Sequence, residues 1–158
     1  MANVRLKGIG YNQFGGVEEC GNLTSYRSRL ATNALGAALN ANSAVALAIG
    51  DVVYLNTLPA GMVLQDCCVV VSNAFSANVT ASLGFVYADG IDRTDVPQDP
   101  AYFGAGIALN AVARIRNAST KTLVRLPKEA FLVMTIAGAA NAEAGVADVI
   151  VEGERLGE

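Results

Sequence analysis

The chain has 158 residues, the length of one ordinary domain, and 53% of them are apolar although only 6% are aromatic and none is Trp. Its net charge of −3 leaves no basic excess to neutralise a phosphate backbone, which argues against nucleic-acid binding. There is no His, which removes the Ser-His and Cys-His nucleophile systems, His-ligated zinc and the commonest general base near neutral pH.

The apolar content is mostly Ala, Val and Leu, which suits thin β-layers better than a large pocketed core. Mean hydropathy is positive, so the chain either buries more than a monomer can or exposes apolar patches. Both point to homo-oligomerisation. The first seven residues lack the apolar core of a signal peptide, and no apolar run is long enough to cross a bilayer. Synthesis in a cytoplasm without membrane association is the expectation.

Residues 1–42 are rich in Gly, Asn, Ser and Ala, with no sustained period apart from a possible helical turn over 32–39. They read as an extended N-terminal arm, whose cations Arg5, Lys7, Arg27 and Arg29 outnumber its acids Glu18 and Glu19. Residues 43–158 read as a β-sandwich domain. Larger residues alternate over 44–49, Gly50-Asp51 breaks the run, and a strand over 52–57 follows. Leu58-Pro59-Ala60-Gly61 then supplies a tight turn, with Pro fixing one φ and Gly allowing the unusual one.

Residues 62–72 are apolar on both faces, as in a strand inside a sandwich or at a subunit interface. Val79, Ala81, Leu83, Phe85 and Tyr87 alternate with Thr80, Ser82 and Gly84, giving one dry face and one wet face before the Asp89-Gly90 turn. Residues 91–110 carry Pro97, Pro100, Gly104 and Gly106 and read as a long loop, with a possible short helix over 102–109. Short strands are expected over 111–116, 122–126, 130–136 and 145–154. About eight strands with one long crossover favour an all-β antiparallel sandwich of jelly-roll type.

Few side chains suggest chemistry. Cys20, Cys67 and Cys68 are odd in number and lack a CxxC spacing, and the adjacent pair should face opposite sides of a strand. Asp51 and Asp66 fall at strand edges and read as turn or surface partners, not as a paired-carboxylate site. Asp89, Asp92, Asp95 and Asp99 could gather around Ca²⁺, but their spacing is not that of an EF-hand and Asp is favoured in turns anyway. Arg114 and Arg116 share a strand face, and Arg125 joins them if the next strand pairs with theirs. No catalytic, cofactor-binding or metal-binding set is expected.

The run Gly50-Asp51-Val52-Val53-Tyr54-Leu55, then Thr57-Leu58-Pro59-Ala60-Gly61-Met62-Val63-Leu64-Gln65-Asp66, resembles head decoration (cement) proteins of tailed bacteriophages. The continuation from Val79 through Gly90 and the closing run Gly145-Val146-Ala147-Asp148-Val149-Ile150-Val151-Glu152 fit the same pattern. The resemblance implies a jelly-roll virion protein on the capsid surface, usually a homotrimer, that bridges major capsid subunits and carries no catalytic residues. The capsid contacts expected here are Arg5, Lys7, Arg27, Arg29, Arg114, Arg116 and Arg125. A receptor- or carbohydrate-binding fibre or spike domain on the same fold is the alternative, although Trp is absent and Tyr sparse.

Overall fold

A computed structural model describes residues 2–5, 23–117 and 121–156. Among these residues ten strands follow one another: β1 (Asn3–Arg5), β2 (Leu23–Ala31), β3 (Val52–Leu58), β4 (Met62–Asn73), β5 (Thr80–Tyr87), β6 (Asp99–Ala108), β7 (Ala113–Asn117), β8 (Val124–Arg125), β9 (Ala130–Ala137) and β10 (Val146–Arg155). One sheet has the order β1-β3-β9-β5-β6, and the other β2-β10-β4-β7, with β8 also on β4. Without β1, and with β7 and β8 counted together on one edge of β4, this is the interleaved eight-strand order of a jelly roll. All neighbours run antiparallel except β1, which lies parallel on the outer edge of β3.

The alternation seen in the sequence is the burial pattern of the strands. Val79, Ala81, Leu83, Phe85 and Tyr87 all lie in the core between the sheets, where the Phe85 ring meets Tyr87 and Tyr102 edge-on. In β4, Leu64, Cys67, Val69 and Val71 face the core, while Cys68 and Val70 are half-buried on the outer side. The two neighbouring cysteines therefore do point to opposite faces. Burial pushes the Cys67 thiol up, so it stays protonated and inert. Pro59 and Gly61 make the turn between β3 and β4, with Gly61 at φ 76°.

Several expectations are corrected. Residues 23–42 are not arm: β2 pairs along its whole length with β10, from Leu23 opposite Glu154 to Ala31 opposite Val146, and buries Tyr26 and Leu30. Its period of two is real, but its inward set includes the small polar Ser28, which weakens the signal. Residues 32–39 form turns and bridges and no helix; Ala37 bridges Ala46, and no strand forms over 44–49.

The supposed loop over 91–110 contains β6, and the supposed helix over 102–109 is part of that strand. Positive φ at Gly104 and Gly106, with register shifts against β5, disrupts its alternation. Pro100 is tolerated because β6 is an edge strand. The strand expected over 122–126 is reduced to Val124–Arg125.

Asp51 is a turn partner, one of the two roles expected of it, but it is buried and not at the surface. Its carboxylate accepts the N–H of Ala2 at 2.9 Å and of Ala48 at 2.9 Å, tying the start of β1 to the turn before β3.

Candidate functional site, a charged sheet face

The outer face of the β2-β10-β4-β7 sheet collects four of the seven cations singled out in the sequence. Two cross-strand rows follow from the register. Arg29, Asp148, Val70 and Arg114 form one row, and Arg27, Ile150, Cys68 and Arg116 form the next. Each row thus begins and ends in arginine. Between the arginines runs a strip of half-buried Val70, Cys68 and Ile150. The edge strands β2 and β7 each place two arginines two residues apart, so the pleat turns both to the same side.

Three acids temper this charge. Asp148 is buried at 6% exposure and receives the Arg29 guanidinium in a two-point contact, Nε to Oδ1 at 2.9 Å and Nη2 to Oδ2 at 3.1 Å. Arg27 reaches the same carboxylate, with Nη2 3.1 Å from Oδ2. Asp66 accepts from Arg116 on the other flank and also from the Cys67 N–H at 2.7 Å. Glu152 lies opposite Asp66 and is exposed. The Arg114 side chain makes no hydrogen bond or ion pair among the described residues, and the residue is exposed.

The hydrogen bonds from Arg29, then from Arg27, hold the Asp148 carboxyl below its usual pKa against the opposing effect of burial. A carboxylate shifted down contributes stability that is complete above the unfolded value of about 3.9 and is lost as pH falls through the lower folded value. Asp148→Asn should therefore be less stable than the wild type at neutral pH. Denaturant titrations from about pH 6 to about pH 3 should show that gap closing as the medium becomes acid. A gap independent of pH would mean that Asp148 acts through packing and not through charge.

The remaining candidates are placed differently. Arg125 lies opposite Val63, farther along the same edge of β4, so β8 extends the arginine edge without pairing with β7. Arg5 is in β1 on the other sheet, and its side chain lies outside the described residues, as do Lys7 and Cys20. The face has a plain structural role too, because charged side chains on edge strands such as β2 and β7 discourage unwanted sheet extension.

The aspartates of the β5–β6 connection are not gathered. Asp89 binds Lys128, Asp95 binds Arg93, Asp99 binds Lys121, and Asp92 accepts the N–H groups of Arg93 and Gln98. No group of three potential metal ligands occurs among the described residues. The described aromatic side chains are all buried or half-buried, so none offers an open platform for sugar stacking.

No family model and no curated protein sequence matches the chain. Solved structures do. A chain in the capsid of Ralstonia phage GP4 superposes with a TM-score of 0.66 at 15% identity, covering 99% of this chain and 100% of that one. A chain of the cyanophage Pam1 capsid asymmetric unit superposes with a TM-score of 0.60 at 14% identity, covering 92% and 93%. The fold is one found in phage capsids. At these identities the likeness is one of architecture, and it spans β1 and β2 as well as the sandwich expected from residue 43 onward.

Proposed function

We propose that the chain is a structural protein of a phage virion that sits on the assembled capsid and bridges neighbouring major capsid subunits, as a homo-oligomer and by expectation a trimer. The observation that carries this reading is the end-to-end match of its fold to a chain of a phage capsid. The arginine-flanked sheet face supports it as a contact surface, because paired and unpaired guanidinium groups around an apolar strip suit an acidic protein surface. The residues before β2, Arg5 and Lys7 among them, are proposed to add contacts to a neighbouring subunit. Many weak contacts repeated on a lattice then act together as a durable clamp.

The test uses purified protein and capsids that lack it, with binding read by co-sedimentation. Arg114→Glu combined with Arg27→Gln leaves Asp148 its two-point partner Arg29. The double variant is expected to bind about tenfold more weakly, while Arg93→Gln in the β5–β6 connection, away from this face, binds as the wild type. Unchanged saturation by the double variant would remove this face from the contact. Failure of the wild-type protein to bind any capsid would overturn the virion reading itself.

A further inference from the structure

Charge is distributed very unevenly between the two ends of the sandwich. One end is formed by the connections β2–β3, β4–β5, β6–β7 and β9–β10, since the register places Ala31, Asn73, Ala113 and Val146 together there, and Thr80, Ala108 and Ala137 together in the other sheet. Residues 30–50 contain no Asp, Glu, Lys or Arg, and neither do residues 72–80 or 108–113. Over 137–145 the single charged residue is Glu143, and the only other acid at this end among the described residues, Asp51, is buried. The opposite end carries Asp89, Asp92, Arg93, Asp95, Lys128 and others.

This neutral end is also apolar at its surface. Leu35, Val45, Val112, Ile49 and Leu39 are 77%, 72%, 70%, 60% and 46% exposed, which makes five of the nine large apolar side chains left in solvent among the described residues. They stand on loops held in place by buried bonds. The Asn141 side chain donates to Thr32 Oγ1 at 3.1 Å and to the Glu143 carbonyl at 2.8 Å, and accepts the Ser76 N–H at 3.0 Å. Large apolar groups fixed in solvent, with almost no charge among them, are the composition of an interface core.

We infer that this end is the surface through which the chain associates with further copies of itself. Charge matching selects the occupant. A charged partner surface would bury its charges here with nothing to pair them, at a cost that opposes binding. The outer face of the β2-β10-β4-β7 sheet and the opposite end of this molecule both carry charges, whereas this end and strands β3, β5 and β9 of the other sheet do not. The chain itself thus supplies uncharged surfaces that match this end, and a second copy is the occupant. The inference rests on the oligomeric part of the proposed function and names its surface; it does not depend on the capsid.

Light scattering coupled to size exclusion, run over a dilution series, tests this on the full chain. Wild-type protein is expected to form a stable oligomer. Leu35→Glu with Val45→Glu should raise its dissociation constant by at least about tenfold, with the circular dichroism spectrum unchanged. Val112→Glu, on a different loop, should act in the same direction, and Ile91→Glu at the charged end should not. A wild-type monomer at every concentration would overturn the inference together with the oligomeric reading. An oligomer that survives all three glutamates would overturn this surface alone. A wild-type monomer that binds capsids, and loses that binding through Leu35→Glu and Val45→Glu, would assign the end to a foreign subunit instead.

Discussion

Removal of residues 1–42 is expected to abolish folding, whereas removal of residues 1–22 is expected to leave a folded sandwich. The longer deletion takes away all of β2, a nine-residue edge strand paired throughout with β10. Tyr26 and Leu30 leave the core with it, each having contributed about 1.5–3 kcal/mol on burial. Val149 and Val151, both fully buried, lose their cover, and Asp148 loses both of its arginine partners. Together these losses approach the whole stability of an ordinary domain, about 5–15 kcal/mol.

The shorter deletion removes β1. Its described losses are the buried side chain of Val4 and the bond from the Ala2 N–H to Asp51, worth about 1.5–3 kcal/mol for the former. Thermal melts followed by circular dichroism separate the two cases. A sharp cooperative melt from the longer deletion would show that β2 is dispensable. If the shorter deletion folds but no longer saturates capsids, the contacts proposed for the residues before β2 gain direct support.

The second large effect is expected at Asn141, which is 1% exposed. Its amide joins three of the four connections at the neutral end, through Thr32 and Gly36 of one, Ser76 of another and Glu143 of its own. Asn141→Ala leaves the Ser76 N–H and the carbonyl of Glu143 without this partner, each a loss of about 1–3 kcal/mol where water cannot enter. A destabilisation of about 3 kcal/mol is expected, lowering the melting temperature by about 6–12 °C for a domain of this size. Asn141→Asp should be worse at neutral pH, since a buried carboxylate would face the carbonyls of Gly36 and Glu143. A melt within a degree or two of the wild type for either variant would refute the role of this residue.

Gly36, which Asn141 helps to hold, is hardly replaceable. It sits at φ 81°, and a Cβ there would lie 2.1 Å from the carbonyl oxygen of Asn141. The two residues explain why a segment as plain as residues 32–50 takes one shape.

Six strands, β3, β4, β5, β7, β9 and β10, were legible in the sequence because alternating apolar residues and bounding turns agreed. Val79 through Tyr87 is the clearest case. Two strands were hidden for separate reasons. In β2 the inward set is Tyr26, Ser28 and Leu30, and the strand follows a Gly- and Asn-rich stretch, so its period is faint. In β6 two glycines at positive φ and shifted register break the alternation, and Pro100 argues against a strand at all.

The site was legible in pieces only. The spacing of Arg114 and Arg116 is enough to place them on one face. Their meeting with Arg27 and Arg29 depends on β10 and β4 lying between β2 and β7, a long-range pairing that no local pattern carries. The burial of Asp51 and Asn141 was likewise invisible, because a buried polar residue is defined by partners far away in the chain. Asn141 finds Thr32 across 109 positions.

The same loop bonds bear on what a surface docking against the neutral end would encounter. Loops that must be ordered on contact tax an association with the entropy they surrender. Here Thr32 Oγ1 receives the Gly145 N–H at 2.8 Å, Ser76 Oγ receives the Ala142 N–H at 2.8 Å, and the Leu47 carbonyl receives the Asn141 N–H at 2.8 Å. That ordering is completed when the single chain folds, so anything that docked on the end formed by the β2–β3, β4–β5, β6–β7 and β9–β10 connections would meet a surface already shaped, closer to the docking of two solids than to mutual moulding.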